Sequence, residues 1–107
     1  MWSKPTKKQL EKIPALYSTE EIDAMDKKIY MHFFLGSCDW YIAEFDGTDT
    51  MFGFACLNGD LQMAEWGYIS YSELVGLKVS FMEVDRDKHF KPCKAGNIEL
   101  IINAMAA

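Results

Sequence analysis

Residues 84–92, with the sequence VDRDKHFKP, place acidic and imidazole side chains at alternating positions. In an extended backbone, residues two apart point the same way, so Asp85, Asp87 and His89 would share one face. Two carboxylates and an imidazole suit a hard divalent cation such as Mg²⁺ or Mn²⁺, or acid–base chemistry. This arrangement is the basis of one functional hypothesis, a small metal-dependent hydrolase that uses these three residues.

The same segment also has a purely architectural interpretation. Arg86 and Lys88 flank the carboxylates and would compensate their charge, and an Arg–Asp pair where a strand runs into a loop is commonly structural. Pro92 has no backbone N–H to donate, so the segment cannot continue as a central strand. In this interpretation Arg86 and Asp87 pin the exit of the last strand, and Phe90 and Pro92 are also structural. The sequence leaves both interpretations open.

Nucleophilic catalysis and phosphate binding have less support. No G-x-S-x-G motif occurs, and Cys38 and His32 have no evident third group that would complete a triad. His32 lies in the aromatic segment IYMHFFLG, which favours a packed, hydrogen-bonded histidine. The glycines are scattered among turns and do not form a phosphate-binding loop.

Charge is distributed unevenly along the chain. Residues 29–77 contain seven acidic residues and no Lys or Arg. Residues 1–28 carry six Lys against five acids, and residues 78–107 carry five basic residues against four acidic ones. The acidic middle segment disfavours nucleic acid as a partner, because phosphate binding depends on Lys and Arg. It favours a protein partner with a basic surface, or else an ordinary solvated face of a sheet.

Aromatic residues are frequent in the same acidic segment, and exposed aromatics beside acids are typical anchors of protein–protein interfaces. We therefore expect a binding surface that includes Asp39, Trp40, Glu44, Glu65, Trp66 and Tyr68. In a chain of 107 residues most aromatics must also build the core, so a structural role is the competing interpretation.

Helices are predicted before the acidic segment, near the end of that segment and at the C-terminus. A capping box that begins at Thr6 predicts a helix over KKQLEKI, which Pro14 ends. A second box, at Ser18, predicts a short helix from about Thr19 to Met25. A third, at Ser70, predicts one or two helical turns in SYSELVGL. The segment GNIELIINAMAA predicts a C-terminal helix that begins at a Gly-Asn cap.

Between the helices the chain has β-branched and aromatic residues at strand spacing. Four runs, KIYMHFFLG, DWYIAEFDG, TMFGFACLNG and LQMAEWGYI, are separated by turn signals such as Asp-Gly and Asn-Gly. A fifth alternating run, KVSFMEVDRD, leads into residues 84–92. These patterns predict an α+β fold: a four- to five-stranded antiparallel β-meander with short N-terminal helices and a C-terminal helix packed on the sheet.

Four ordered segments carry a family resemblance: LEKIPALYSTEE, DWYIAEFDG, MFGFACLNGDLQMAEWGYISYSELVGL and VDRDKHFKP. Together they resemble the small bacterial proteins of the domain-of-unknown-function 2958 family over about residues 10–92. The matching residues are Leu16, Tyr17, Thr19, Glu20, Trp40, Tyr41, Glu44, Phe52, Gly53, Glu65, Gly67, Tyr68, Ser70, Glu73, Leu74, Arg86, Asp87, Phe90 and Pro92. Asp85, where the family pattern tends to have Glu, and Trp66 are departures. The resemblance implies a cytoplasmic bacterial protein often encoded on plasmids, phages or integrative elements, and it implies no known activity.

Length and composition limit the class of protein. A chain of 107 residues, half of them hydrophobic, predicts a single domain over residues 1–107 with its own core. No apolar run is long enough to cross a membrane, and the N-terminal segment lacks the apolar region of a secretory signal. Cys38, Cys56 and Cys93 are odd in number and have no CxxC spacing, which predicts reduced thiols in a cytoplasmic protein.

The favoured functional hypothesis is a mobile-element accessory protein without enzymatic activity. It would bind a basic protein partner through the acidic, aromatic segment. Inhibition of a host nucleic-acid-handling or defence system is one concrete form of this hypothesis. No cofactor is expected in that case, whereas the hydrolase alternative requires Mg²⁺ or Mn²⁺ at Asp85, Asp87 and His89.

Overall fold

The computed structural model describes residues 4–107, and its centre is a five-stranded antiparallel sheet. The helices are α1 (Lys7–Glu11), α2 (Tyr71–Gly76) and α3 (Glu99–Ala106), with 3-10 turns at Ala24–Asp26 and Ala95–Asn97. The strands are β1 (Lys28–Ile29), β2 (Met31–Leu35), β3 (Cys38–Phe45), β4 (Thr50–Cys56), β5 (Glu65–Ser70), β6 (Lys78–Val79), β7 (Met82–Glu83), β8 (Asp85–Arg86) and β9 (Cys93–Lys94). The predicted α+β class is confirmed. Within the described range, no helix has the length and apolar character needed to cross a bilayer.

The central sheet has the strand order β5-β4-β3-β2-β8. Strands β2 to β5 follow one another as the predicted meander, and β8 returns to pair with β2. The connection after β4 begins with Asn58 and Gly59, whose φ angles are 56° and 68°. An Asn-Gly pair adopts this left-handed backbone readily, which is why the pair marked a turn in the sequence.

Each face of the sheet carries its own hydrophobic core. The core on one face, here termed the α2 face, includes Ile13, Phe33, Trp40, Ile42, Met51 and Leu74. The core on the other face, termed the α3 face, includes Ile29, Tyr41, Phe54, Ala95 and Ile101. Because Ile101 is fully buried in this second core, α3 packs on the sheet as predicted.

A β-bulge in β3 changes the face of the sheet on which the side chain of Glu44 lies. Ile42 pairs with Gly53 and Glu44 pairs with Phe52, so Ala43 is an extra residue on β3. Strict alternation from Ile42 would have pointed Glu44 into the apolar core of the α2 face. The bulge places Glu44 on the α3 face, next to Phe52.

The two strands approach closely at this bulge, and the approach requires a glycine in β4. A Cβ atom added at Gly53 would lie 2.0 Å from the carbonyl oxygen of Tyr41. A backbone atom cannot move aside as a flexible side chain can, so no larger residue fits here without displacement of β3 or β4.

The N-terminal segment contains one confirmed helix and one wrong prediction. The capping box at Thr6 is present and begins α1. The helix predicted from about Thr19 to Met25 is wrong, because residues 16–21 form turns and only the 3-10 turn Ala24–Asp26 is helical. Tyr17 has a left-handed φ of 70°, which is incompatible with a helix. The backbone N–H groups of Tyr17 and Thr19 donate to the carboxylate of Glu44.

The run KVSFMEVDRD was predicted as one strand, and this is also wrong. Strands β6 and β7 form a hairpin in which Ser80 has a φ of 59°, which interrupts the extended backbone. Only Asp85–Arg86 then pairs with β2. The chain turns again at once, since the N–H of Phe90 donates to the carbonyl of Asp87. The same-face spacing assumed for residues 85, 87 and 89 is therefore not maintained.

The remaining helices match their predicted positions. The hydroxyl of Ser70 accepts a hydrogen bond from the N–H of Glu73 and begins α2, which ends at Gly76. Helix α3 begins after Ile98, which makes no side-chain capping bond. The Gly-Asn pair that was expected to cap α3 lies in the preceding 3-10 turn.

Candidate functional site

An open cleft lies on the α3 face at the end of the sheet where β3 finishes. Its volume is about 370 Å³, and it is lined by Tyr17, Glu20, Lys27, Glu44, Phe52 and Tyr68. These residues come from the N-terminal turn segment, the middle strands β3 and β4, and the edge strand β5. We term this site the Tyr17 cleft.

Glu44 forms the base of the cleft and is only 3% exposed. One carboxylate oxygen accepts the backbone N–H of Tyr17 at 2.8 Å, and the other accepts the N–H of Thr19 at 3.0 Å and also its hydroxyl. Burial raises the pKa of Glu44, but the hydrogen bonds from Thr19 and Tyr17 and the charge of Lys27 outweigh it and hold the pKa below 4.5. Glu44 is thus an anionic anchor that shapes the N-terminal turn.

Lys27 completes the inner end of the cleft. Its side chain is buried, and its ammonium group donates to the carbonyl and the hydroxyl of Thr19. The same ammonium lies 5.9 Å from the ring centroid of Phe52. Thr19 therefore bridges a buried cation and the carboxylate of Glu44. This role is not apparent from the sequence, in which Lys27 is one of two adjacent lysines before a strand.

Two tyrosines form the outer walls of the cleft. Tyr17 is 56% exposed and Tyr68 is 61% exposed, and their ring centroids are 6.3 Å apart at an interplanar angle of 66°. Phe52 meets Tyr68 from the inside at 5.5 Å and 64°. A hydrogen bond with Tyr17, desolvation and the nearby negative charges of Glu20 and Glu44 raise the pKa of Tyr68. The outer part of the cleft is therefore aromatic and lies close to negative charges.

A second polar group, termed the His32 cluster, occupies the opposite end of the α3 face and comprises His32, Asp39, Asp87, Tyr41 and Phe90. The two imidazole nitrogens face the carboxylates of Asp39 at 2.7 Å and Asp87 at 3.5 Å. The ring stacks on Tyr41 with centroids 4.3 Å apart and an interplanar angle of 8°. The predicted packed and hydrogen-bonded histidine is confirmed, and neither nitrogen is left open to a substrate.

Tyr41 shows how enclosed this cluster is. Burial, followed by the charge of Asp39 and smaller contributions that include Asp87, raises the pKa of Tyr41 to about 12. Phe90 packs across the cluster, with its ring 6.1 Å from that of His32 and 6.3 Å from that of Tyr41. Phe90 thus has the structural position expected for it, whereas Pro92 is exposed.

The three residues predicted to hold a metal are not brought together. An oxygen of Asp85 accepts the N–H of Arg86 at 2.8 Å, and an oxygen of Asp87 accepts the N–H of His89 at 3.0 Å. His89 itself is exposed. Between residues 4 and 107, no three or more His, Cys, Asp or Glu side chains are grouped so that they could hold a metal ion. The metal site stays a prediction without a preassembled set of ligands.

The six residues predicted to form one binding surface are dispersed by strand alternation. Trp40 is 6% exposed in the core of the α2 face, and Glu44 is buried, so the expectation of exposure is wrong for both. Asp39 belongs to the His32 cluster. Glu65 is exposed beside Ala55 on the α2 face. Trp66 stacks on Phe52 with centroids 5.9 Å apart. Tyr68 alone of the six is an exposed wall of the Tyr17 cleft.

A larger groove lies on the α2 face, between α2 and the β6–β7 hairpin. Its volume is about 650 Å³, and its lining includes Leu35, Trp40, Leu57, Leu74, Val79 and Met82. In the described chain, Glu73 is the one charged residue that lines it. Phe81, at the tip of the hairpin, is fully exposed. This groove is apolar where the Tyr17 cleft is charged.

Comparison with known proteins identifies one family. The model of a family described as "Protein of unknown function (DUF2958)" matches residues 6–99. No curated protein and no solved structure matches the chain. All six residues that line the Tyr17 cleft lie within the matched range.

Proposed function

The chain belongs to this family of unknown function, DUF2958, and we propose that the protein binds another protein through the Tyr17 cleft and the acidic surface around it. The partner in this proposal has a basic surface, and no catalytic step is involved. The type of partner is the one inferred from the sequence. The proposed binding surface is one end of the α3 face and not the whole middle segment.

The observation that carries the proposal is the exposure of two opposed tyrosines at a rigidly built site. More than half of each side chain is open to solvent. Tyr17 has a left-handed backbone that is unfavourable for a tyrosine, and the buried carboxylate of Glu44 holds it there. Exposed aromatics in fixed positions lose little entropy when a partner covers them, which makes them effective interface anchors.

The charges around the cleft support a basic partner. Glu20 lines the cleft, and Asp46 and Asp49 lie in the β3–β4 turn at the same end of the sheet. Hydrogen bonds from the backbone N–H groups of Thr48, Asp49 and Thr50 lower the pKa of Asp46, so this carboxylate stays ionised. The charge of Lys27 is directed inward to Thr19. An acidic surface of this kind would speed the association of a basic protein.

The proposed setting follows the family resemblance. A cytoplasmic host protein that handles nucleic acid would present a basic surface to its own substrate, and this surface would complement the acidic end of the sheet. Inhibition of such a host system, by a protein encoded on a mobile element, is the concrete form we propose. The hydrolase alternative at Asp85, Asp87 and His89 makes a different prediction, namely that Mg²⁺ or Mn²⁺ raises the melting temperature and that Asp87→Ala removes this increase.

Quantitative affinity capture from host lysate tests the proposal with two matched pairs of variants. Glu20→Lys reverses a charge in the cleft, and Glu21→Lys makes the same change at an exposed neighbour outside its lining. Tyr68→Ala removes an exposed aromatic from the cleft, and Phe81→Ala removes one from the hairpin. We expect a basic protein to be retained by the wild type and by both controls and lost from both cleft variants. Equal retention by all four variants would contradict the proposal.

A further inference from the structure

The Tyr17 cleft has the form of an aromatic corner that is open on one side. The rings of Tyr17 and Phe52 both stand at steep angles to the ring of Tyr68, 66° and 64° respectively. In each pair the edge of one ring approaches the face of the other, and the exposed parts of the three rings line the cleft. Aromatic ring faces attract ammonium and guanidinium groups through their quadrupoles.

The cleft already contains one cation on its aromatic floor. The ammonium of Lys27 lies 5.9 Å from the ring centroid of Phe52 and is hydrogen-bonded to Thr19. Its charge is balanced by Glu44, which is bonded to the same threonine. The inner end of the cleft is therefore electrically close to neutral.

The outer end keeps an uncompensated negative charge. Glu20 lines the cleft and is exposed, and it forms no salt bridge within the part of the chain that the structure describes. Its charge and that of Glu44 both act on the hydroxyl of Tyr68. A cation in the cleft would lie beside the exposed rings of Tyr17 and Tyr68 and close to the carboxylate of Glu20.

We infer that the Tyr17 cleft takes one lysine or arginine side chain of the protein partner, held against the rings of Tyr17 and Tyr68 with its charge facing Glu20. This inference rests on the proposed function and specifies how the partner is anchored. The cleft, at about 370 Å³, is at the small end of ligand sites and suits a single side chain.

The test is a titration of the isotopically labelled protein with Nα-acetyl-arginine amide, followed by amide chemical shifts in NMR spectra. The neutral control is Nα-acetyl-citrulline amide, which has nearly the same shape without the charge. We expect saturable shifts at Tyr17, Thr19 and Tyr68 with the arginine compound and none with the citrulline compound. Saturable shifts of equal size with both compounds would overturn the inference.

Variants assign the binding to the proposed groups. Glu20→Gln and Tyr68→Ala should each weaken the arginine compound by about fivefold, because each removes one of the attractive contacts. Glu21→Gln should leave the affinity unchanged, and Tyr68→Phe should retain it because the aromatic face remains. If Glu20→Gln behaves like Glu21→Gln, the rim carboxylate has no part in binding and the inference is wrong.

The inference and the proposed function fail in different ways. If partner capture depends on Glu20 and Tyr68 but the arginine compound does not bind, the proposed function stands and the single-side-chain anchor is wrong. If the arginine compound binds as described but no basic protein is captured, the cation site stands and the proposed function is wrong.

Discussion

The two polar ends of the α3 face use acidic residues in opposite ways. In the His32 cluster, Asp39 and Asp87 both face one imidazole, which Tyr41 and Phe90 cover. In the Tyr17 cleft, Glu44 is likewise satisfied from within the chain, but Glu20 and two tyrosines face solvent. The first end uses its carboxylates to join β2, β3 and the segment after β8. In the second, Glu44 stabilises the N-terminal turn and Glu20 remains exposed in the cleft.

Positive charges do not follow the same division. The His32 cluster takes His32, Asp39 and Tyr41 from residues 29–77, which contain no Lys or Arg, whereas the Tyr17 cleft includes Lys27. An acidic residue in the sequence is therefore weak evidence of a binding surface. Its internal partners decide whether it is architectural, and those partners are distant in sequence.

The largest expected effect comes from removal of the glycine that permits the bulge. Gly53→Ala should destabilise the protein by about 4 kcal/mol and release Glu44 from the cleft, because the new Cβ would collide with the backbone of Tyr41. The matched control is Gly67→Ala, at the residue that pairs with Gly53 in β5, where a Cβ meets nothing within 4 Å. Urea unfolding should show a change below about 1 kcal/mol for the control. Similar losses in both variants would contradict the role assigned to the bulge.

The next effect concerns the anchor of the cleft. Glu44→Ala should cost about 3 kcal/mol, because it leaves two partly buried backbone N–H groups without their acceptor and the buried ammonium of Lys27 without its counter-charge. Glu65→Ala, at an exposed carboxylate, should change stability by less than about 0.5 kcal/mol. Urea unfolding at neutral pH measures both values.

The same anchor predicts a pH dependence. The pKa of Glu44 is lower in the folded protein than its usual 4.5, so its contribution is complete above pH 4.5 and is lost as the pH falls through the folded pKa. The stability difference between the wild type and Glu44→Gln should therefore shrink on acidification. A difference that stays constant below pH 4.5 would show that the charge of Glu44 does not stabilise the fold.

A smaller effect is expected at the His32 end. Asp39→Asn should cost about 1.5 kcal/mol through the weakened 2.7 Å contact with His32 and should leave partner capture unchanged. Thermal melts and affinity capture measure the two quantities on one variant. Loss of capture without loss of stability would show that Asp39 belongs to the binding surface, as predicted from the sequence.

Local signals predicted those parts of the fold that depend on local interactions. The Asn-Gly turn, the capping box at Thr6, the hydroxyl cap at Ser70 and the alternation of β2 to β5 are all encoded within a few residues, and the structure contains them. The cleft depends on longer-range contacts. Tyr17 takes its left-handed backbone from a carboxylate 27 residues away, and Glu44 reaches that position through a bulge set by the opposite strand. No local pattern in the sequence reports either contact.

The structure does not bring Asp85, Asp87 and His89 of the predicted metal site together, for a related reason. Their alternation suggested one extended strand, but pairing with β2 stops at Arg86, and Asp87 is directed to His32, 55 residues earlier. The residue types suit metal binding, but the extended backbone predicted for them is not formed. His32 was correctly predicted to be packed, although its two carboxylate partners had been assigned to different candidate sites.

Photo-crosslinking in host cells tests the central claim most directly. A benzophenone-bearing phenylalanine analogue replaces Tyr68 in one variant and Phe81 in another, since both side chains are exposed aromatics and only Tyr68 of the two lines the Tyr17 cleft. We expect a crosslink to one basic protein from position 68 and none to that protein from position 81. A crosslink from position 81 to the protein's partner, with none from position 68, would contradict the Tyr17 cleft as the binding surface.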